Sequence, residues 1–291
     1  VRNFDERSIT AAVRERVGQA SDPRLRQVSD ALIRHLHDFV REIEPTQEEW
    51  SRAIAFLTRT GHMCTANRQE FILLSDALGV SMLVDAINHH LPGGATETTV
   101  LGPFYVQEPP ELPLGANISP GLAGVPLLVT GSVSSAGGPG LAGAAVDVWH
   151  SDGDGYYDVQ QLDEDHGLAM RARLRTAPDG AFHFWTIMPA AYPIPNDGPV
   201  GEMLAAQGRH PYRPAHVHFM IAAPAHEQLV THVFVEGDAY LDSDVVFGVK
   251  DSLIRPFAEM PAGMAPDGTR VDRPYRHLHY DFALAPQRRV A

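Results

Sequence analysis

Cysteine is almost absent: Cys64 is the single thiol in 291 residues. An intrachain disulfide is therefore excluded, and the composition suits a reducing compartment. Cys64 falls in a helical pattern, where a lone cysteine is expected to be buried, inert filler. No basic run exists and the formal net charge is −13, which argues against nucleic acid or an anionic membrane surface as a partner. No stretch approaches the ~18 apolar residues of a membrane span. The opening Val1-Arg2-Asn3-Phe4-Asp5-Glu6-Arg7 has no apolar segment of the kind a secretion signal carries. The expectation is a soluble cytoplasmic protein. Internal repeats and low-complexity tracts are also missing.

What is present divides in two. Up to about residue 90 the apolar residues recur at helical spacing. Asp22 before Pro23 reads as an N-cap with proline at the first helical position, followed by Val28, Leu32, Leu36, Phe39, Val40 and Ile43. Thr46 with Glu49 is a capping box ahead of Trp50, Ile54 and Leu57, with a stop at Gly61. A third helix is expected from Asn67 through Glu70, Phe71, Leu74 and Leu78 to Gly79, and a fourth from Ser81 to near His90. These amphipathic faces need cover from the rest of the chain, a twin subunit or a ligand.

At Leu91-Pro92-Gly93-Gly94 the character changes. Segments 127–133, 145–149, 171–176, 181–187, 216–222, 229–236 and 277–283 alternate or run apolar over strand lengths. Pro178-Asp179-Gly180 supplies a turn between two of them. The expected class is α+β: an all-helical N-terminal domain over 1–98, then an antiparallel β-sandwich over 99–291. Two stretches, about 150–170 and 188–214, are rich in Gly, Pro, Asp and Tyr. Loops that long in a compact domain are usually functional or disordered.

Three His-x-His pairs compete for attention. His35 and His37 sit in the helix of residues 23–43, where i and i+2 lie about 200° apart around the axis and cannot share an ion. His277 and His279 lie on a plausible strand without an adjoining polar loop and read as surface positions. His216-Val217-His218 begins a strand, so both rings point to one face. From the residues alone this pair is either half of a metal site or two satisfied histidines on a sheet. No His-Glu-x-x-His helix, cysteine cluster or neighbouring carboxylate completes it. Asp152-Gly153-Asp154-Gly155-Tyr156-Tyr157-Asp158 fails as a calcium loop, because a tyrosine stands where the turn glycine belongs. The loops instead offer Tyr157 and Tyr192. A phenol ionises near pH 10, so only a strongly Lewis-acidic hard cation would make either one a ligand at neutral pH. Otherwise they are loop anchors.

Four segments together change the reading. Leu-Gly-Pro-Phe-Tyr-Val (101–106), Val-Asp-Val-Trp-His-Ser-Asp-Gly-Asp-Gly-Tyr-Tyr (146–157), Trp-Thr-Ile-Met-Pro-Ala-Ala-Tyr (185–192) and Gly-Arg-His-Pro-Tyr-Arg-Pro-Ala-His-Val-His (208–218) stand in this order and spacing. They resemble the intradiol ring-cleavage dioxygenases, in the catechol/hydroxyquinol 1,2-dioxygenase branch, over nearly the whole chain.

The resemblance implies that Tyr157, Tyr192, His216 and His218 hold a non-haem Fe(III). Tyr192 matches the ligand that detaches when substrate binds and then takes up a proton, and Arg213 matches the arginine beside the aromatic ring. A small aromatic diol or triol and O2 are the implied substrates, opened to a muconate-type diacid without an external reductant. Leu73, Asp76, Leu101, Gly102, Phe104, Ile194, Pro195 and Val246 occupy the positions that line the ring pocket in this branch. The position of Asp76 is usually not acidic in plain catechol enzymes. A carboxylate there has a partner in a third ring hydroxyl and none in catechol. Hydroxyquinol is therefore the expected substrate, with catechol or chlorocatechols as alternatives and a non-catalytic transthyretin-like binding sandwich as a remote one. At His232 the chain departs from the glutamine common in catechol enzymes. The resemblance further implies a homodimer through the N-terminal helices, with a phospholipid at the interface.

Overall fold

Capping chemistry sets where the helices begin. The computed structural model describes residues 2–65, 68–89, 93–160 and 167–287. Among these lie α1 (Ile9–Val17), α2 (Pro23–Ile43), α3 (Gln47–His62), α4 (Glu70–Ala77), α5 (Val80–Asn88) and α6 (Pro199–Ala206). The Asp22 carboxylate accepts from the backbone N–H groups of Arg24 and Leu25. Thr46 and Glu49 form the reciprocal pair expected of a capping box, with N–H bonds of 2.8 and 3.2 Å. Gly79, at φ 73°, lets the chain turn from α4 into α5, a conformation that favours glycine. Asn67, His90, Leu91 and Pro92 lie outside the described residues.

Three features depart from the sequence expectation. Helix α1 was not expected: Ser8 makes no cap bond, and the turn leading into the helix is held by Asp5, whose carboxylate accepts from the N–H groups of Arg7 and Ser8. Helix α6 is embedded in the Gly/Pro-rich stretch expected to be loop, with Pro199 at its first position. Cys64 is not helical: its N–H bonds the Gly61 carbonyl (3.2 Å), closing a final tight turn, and it lies half-buried beyond α3.

By compactness the chain divides into Val1–Arg59 and Thr60–Ala291. In the first unit α1 packs on α2, with Thr10 bonded to His37 (3.0 Å) and Arg14 paired with Asp30. The apolar face of α2, including Leu25, Val28, Leu32, Leu36, Phe39 and Ile43, is exposed. No helix is long and apolar enough to cross a membrane among the described residues.

The second unit carries the sheets. Its strands are β1 (Pro126–Ser135), β2 (Ala145–His150), β3 (Arg171–Arg175), β4 (Ala181–Ile187), β5 (Tyr192–Pro193), β6 (Tyr212–Arg213), β7 (His216–Ala222) and β8 (Leu229–Val235). They continue with β9 (Ile254–Arg255), β10 (Ala258–Met260), β11 (Gly263–Met264), β12 (Arg270–Val271), β13 (Tyr275–His279) and β14 (Phe282–Leu284). One five-stranded sheet runs β10-β13-β1-β14, with β4 also on β1, and the other runs β3-β2-β7-β8-β9. The β2–β3, β2–β7, β7–β8 and β1–β4 ladders are antiparallel, while β1 meets β13 and β14 in parallel and β8 meets β9 likewise.

Alternation along the strands of the second sheet separates core from site. Val146, Val148, Ala172, Leu174, Val217, Phe219 and Ile221 belong to the main core with Leu127, Val129, Phe182 and Phe184 of the first sheet. Side chains two residues on from one another share a face, so Asp147, Trp149, Arg171, Arg173, His216 and His218 take the opposite one. Burial of Phe219 alone is worth about 1.5–3 kcal/mol, so a slip of register is strongly opposed. The hydrophobic pattern thereby fixes where the two imidazoles point.

Candidate metal centre

Strand β7 lies in the middle of its sheet, and its two histidines are both buried. His218 stands opposite Trp149 of β2 and His232 of β8. The Trp149 indole stacks on the His218 ring, with centroids 4.6 Å apart and planes 14° apart. His216 Nδ1 lies 2.6 Å from the Pro214 carbonyl, which can only accept, so that nitrogen carries the proton. The lone pair is left on Nε2, which lies 3.1 Å from His218 Nε2.

The tyrosines come from the two long loops. Tyr157 Oη is 3.1 Å from His218 Nε2 and 3.4 Å from Tyr192 Oη. The turn before Tyr157 needs glycine: Gly155 has φ 90°, and a Cβ there would sit 2.9 Å from Tyr192 Cβ. Tyr192 lies opposite Arg213 in the short β5–β6 ladder. Arg213 Nη1 is 3.4 Å from His216 Nε2, while Nε and Nη2 are held by Asp244 at 3.1 and 3.4 Å. Tyr157, Tyr192, His216, His218 and Arg213 are thus brought into one buried cluster.

Burial governs the electrostatics. It holds both His216 and His218 well below the ordinary histidine range, with Arg213 adding to the effect, so both are neutral and offer lone pairs. Burial, with the neighbouring Tyr192, pushes the Tyr157 phenol well above its usual value. The protein alone therefore keeps that phenol protonated. A hard, highly charged cation reverses the balance, because two phenolates offset most of a trivalent charge. Burial pulls on the Arg213 guanidinium too, but Asp244 and the two phenols outweigh it and the group stays charged.

A cavity of about 720 Å³ adjoins this cluster and is lined by Asp76, Leu101, Gly102 and Phe104, with Tyr105 and Val159. Phe104 stacks on Tyr157 at 4.4 Å. A Cβ on Gly102, itself at φ 75°, would come within 3.1 Å of His218 Cε1. The 101–104 segment is therefore the wall that the cavity and the donor cluster share. Burial raises the Asp76 carboxyl above the ordinary range, against a hydrogen bond from Ser81 and the pull of Arg213. Leu73, Ile194 and Val246 form instead a separate apolar cluster with Val200, Leu204 and Val245, which meets the cavity at Val100. Pro195 is half-buried and lines no described cavity. A second cavity, of about 510 Å³ beside Arg209, His210 and Phe247, touches Asp244 but none of the four donors.

Several residues at this site carry no signal in a motif. Asp158 and Arg171 form a buried ion pair with an Nε–Oδ2 bond of 2.6 Å, and Arg171 also donates to the Phe104 carbonyl at 2.9 Å. That pair ties the Tyr157 segment to the cavity wall. A hint lies in Arg171-Ala172-Arg173-Leu174-Arg175, three cations on one strand face opposite Asp147 and Trp149. Asp244 anchors Arg213 from 31 residues away. His232 packs against both β7 histidines, at 4.7 and 4.1 Å between centroids, and bonds Thr99 through Nδ1. His216, His218 and His232 form the one cluster of three histidine, cysteine or acidic ligands compact enough for a metal among the described residues, with ligand atoms within 4.8 Å of one another.

This combination of sandwich, buried His/Tyr cluster and helical N-terminal part has relatives. Residues 101–286 match the family described as Dioxygenase, and residues 22–96 match Catechol dioxygenase N terminus. The chain belongs to the intradiol ring-cleavage dioxygenases, oxidoreductases that depend on non-haem iron. It is 49% identical over 282 residues to the hydroxyquinol 1,2-dioxygenase of Nocardioides simplex, covering 97% of this chain and 96% of that one. It is 50% identical over 289 residues to the 6-chlorohydroxyquinol 1,2-dioxygenase of Cupriavidus pinatubonensis, covering 98% and 99%. The crystal structure of hydroxyquinol 1,2-dioxygenase from Pseudomonas putida DLL-E4 matches with a TM-score of 0.91 at 47% identity, over 97% of this chain and 99% of that one.

Proposed function

We propose that the protein opens the ring of hydroxyquinol, 1,2,4-trihydroxybenzene, between its adjacent hydroxyl-bearing carbons. The product is 3-hydroxy-cis,cis-muconate or its keto form, maleylacetate. The ligands in this reading are Tyr157, Tyr192, His216 and His218, and the metal is Fe(III). One observation carries it: two buried phenols and two buried neutral imidazoles converge beside a cavity whose wall holds the Asp76 carboxyl. Bound there, Fe(III) supplies the Lewis acidity that ionises phenols and draws electron density from a chelated aromatic diol.

The chain's own residues do the remainder. Tyr192, on a loop and two-residue strand, takes up a substrate proton at its phenolic oxygen. Arg213, fixed by Asp244, presents Nη1 to the negative charge that builds on the ring during attack. Asp76 accepts a hydrogen bond from the third ring hydroxyl, and plain catechol leaves it with Ser81 alone. The remaining expected pocket residues, Leu73, Leu101, Gly102, Phe104, Ile194, Pro195 and Val246, shape the cavity and support its wall in this reading.

Oxygen uptake with hydroxyquinol, catechol, 4-chlorocatechol and protocatechuate side by side tests the substrate. Hydroxyquinol is expected to be fastest. Preference for catechol rejects the substrate and leaves the reaction standing. The Asp76→Ala variant is expected to lose about 10-fold or more on hydroxyquinol, roughly one hydrogen bond to a charged group, and much less on catechol. Equal losses overturn the role. The same carboxyl has a stability signature. Its folded pKa is raised, so its contribution is fully present below the unfolded pKa and is lost as pH rises through the folded one. Asp76→Asn is therefore expected to raise Tm at pH 7 and to change it little in acid.

The proposal includes a homodimer formed through the N-terminal helices, with a phospholipid at its interface. The exposed apolar face of α2 supports this. Light scattering after size exclusion should give twice the 31.8 kDa chain mass. Leu32→Glu with Leu36→Glu should shift it to monomer, and a monomeric wild type rejects the dimer. Lipid extraction of the same sample tests the phospholipid.

A further inference from the structure

His232 is wholly buried, yet its Nε2 finds no hydrogen-bond partner among the described residues. Its other ring nitrogen, Nδ1, is bonded to the Thr99 hydroxyl. That is the one hydrogen bond the hydroxyl makes among the described residues, and Thr99 is itself buried. A buried hydroxyl proton needs an acceptor, and Nδ1 is the acceptor within reach. The network therefore assigns the ring's own proton to Nε2. A protonated Nε2 has no lone pair for a metal, which separates His232 from His216. There the Pro214 carbonyl takes the Nδ1 proton and frees Nε2. Two histidines on one sheet face, each fixed by one oxygen, are thus set in opposite tautomers. The unmatched Nε2–H of His232 belongs to a ring packed against both β7 histidines, where an oxygen anion of a bound molecule is the acceptor that would satisfy it.

We propose that His232 is a substrate-binding residue, a hydrogen-bond donor to a phenolate oxygen of the chelated diol, held in that role by Thr99, and not a third nitrogen ligand of the metal. The proposal rests on the Fe(III) reading above. It makes Thr99, on the segment leading to the cavity, a positioning residue that acts through the imidazole.

The test uses the iron-loaded full chain with 4-nitrocatechol as probe, in the absence of oxygen. Iron content and the visible tyrosinate band are measured first, then the probe's dissociation constant. His232→Gln keeps an N–H donor, His232→Leu removes it, and Thr99→Val removes the lock while keeping the ring. All three should hold as much iron as wild type and keep the band. His232→Leu should weaken probe binding about 10-fold, the order of one lost hydrogen bond, while His232→Gln stays within about 3-fold of wild type. Thr99→Val should fall between them, through KM on hydroxyquinol more than kcat. Loss of iron or of the band in His232→Leu makes His232 a ligand and overturns the proposal. Equal probe affinity in the Gln and Leu variants overturns the donor role, and unaltered affinity in Thr99→Val overturns the lock. A wild type that binds iron without a tyrosinate band instead rejects the Fe(III) reading, and the proposal falls with it.

Discussion

Tyr157→Phe is expected to reduce hydroxyquinol-dependent oxygen uptake by on the order of 10³-fold, as removal of one charge-stabilising group at an active centre does. The visible tyrosinate-to-iron band should shift or disappear with it. The substitution is clean because Tyr157 is fully buried and its ring is stacked on Phe104 at 4.4 Å. Phenylalanine keeps the ring, the stack and the volume. The change is confined to one oxygen, which lies 3.1 Å from His218 Nε2 and 3.4 Å from Tyr192 Oη. Stability should change by only about 1 kcal/mol, the net worth of one hydrogen bond, so lost activity cannot be ascribed to unfolding. Removing iron from wild type with a chelator should bleach the same band, and returning Fe(III) should restore it. Unchanged absorption in Tyr157→Phe rejects the ligand assignment.

Arg213→Met is the second large effect. On hydroxyquinol, kcat should drop by about 10²–10³-fold, the range for losing one preorganised electrostatic group, with a smaller change in KM. Here stability falls too. The substitution strands the Asp244 carboxylate in a buried position, and breaking such a pair by removing one partner costs about 3–5 kcal/mol. Asp244 retains the Gly248 N–H at 2.9 Å, which places the loss toward the lower end. Arg213→Lys separates the two effects. A lysine keeps the charge for Asp244 and recovers part of the Tm, but it cannot span Asp244 and the His216 side with one planar fork. Its kcat should stay well below wild type. A kcat within about 3-fold of wild type in Arg213→Met, far short of the loss expected for such a group, removes Arg213 from the chemistry.

The parts of this protein legible in its sequence are those with a short period or a strict local offset. His216 and His218 declare themselves because a strand alternates with period two, and the Asp22 and Thr46 caps because capping works over three residues. The α+β division followed from the same periodicities, and four segments, three of them donor-bearing, carried the family resemblance. What stayed hidden acts across the chain. Asp244 reaches Arg213 over 31 residues, Arg171 reaches Asp158 over 13, and Thr99 reaches His232 over 133. No local pattern records such pairings, because side-chain ion pairs and hydrogen bonds constrain position in space and leave the spacing free. Helix α6 was hidden for the opposite reason: eight residues opening on Gly198-Pro199 look like the loop around them. Leu73, Ile194 and Val246, expected at the pocket, pack instead into an apolar cluster that meets the cavity at Val100.

The donors differ in what holds them. His216 and His218 are carried by β7, which is bonded along both edges, to β2 and to β8. Tyr157 follows a glycine turn, and Tyr192 belongs to a ladder of two residues. Mechanically the two imidazoles are a stiff anvil, Tyr157 is braced by Phe104 and the Asp158–Arg171 pair, and Tyr192 sits on the shortest of these ladders. Displacing an imidazole would tear two ladders, whereas moving Tyr192 would break a ladder of only two residues. In the proposed reaction a detaching Tyr192 would load its own loop in each cycle and spare the sandwich.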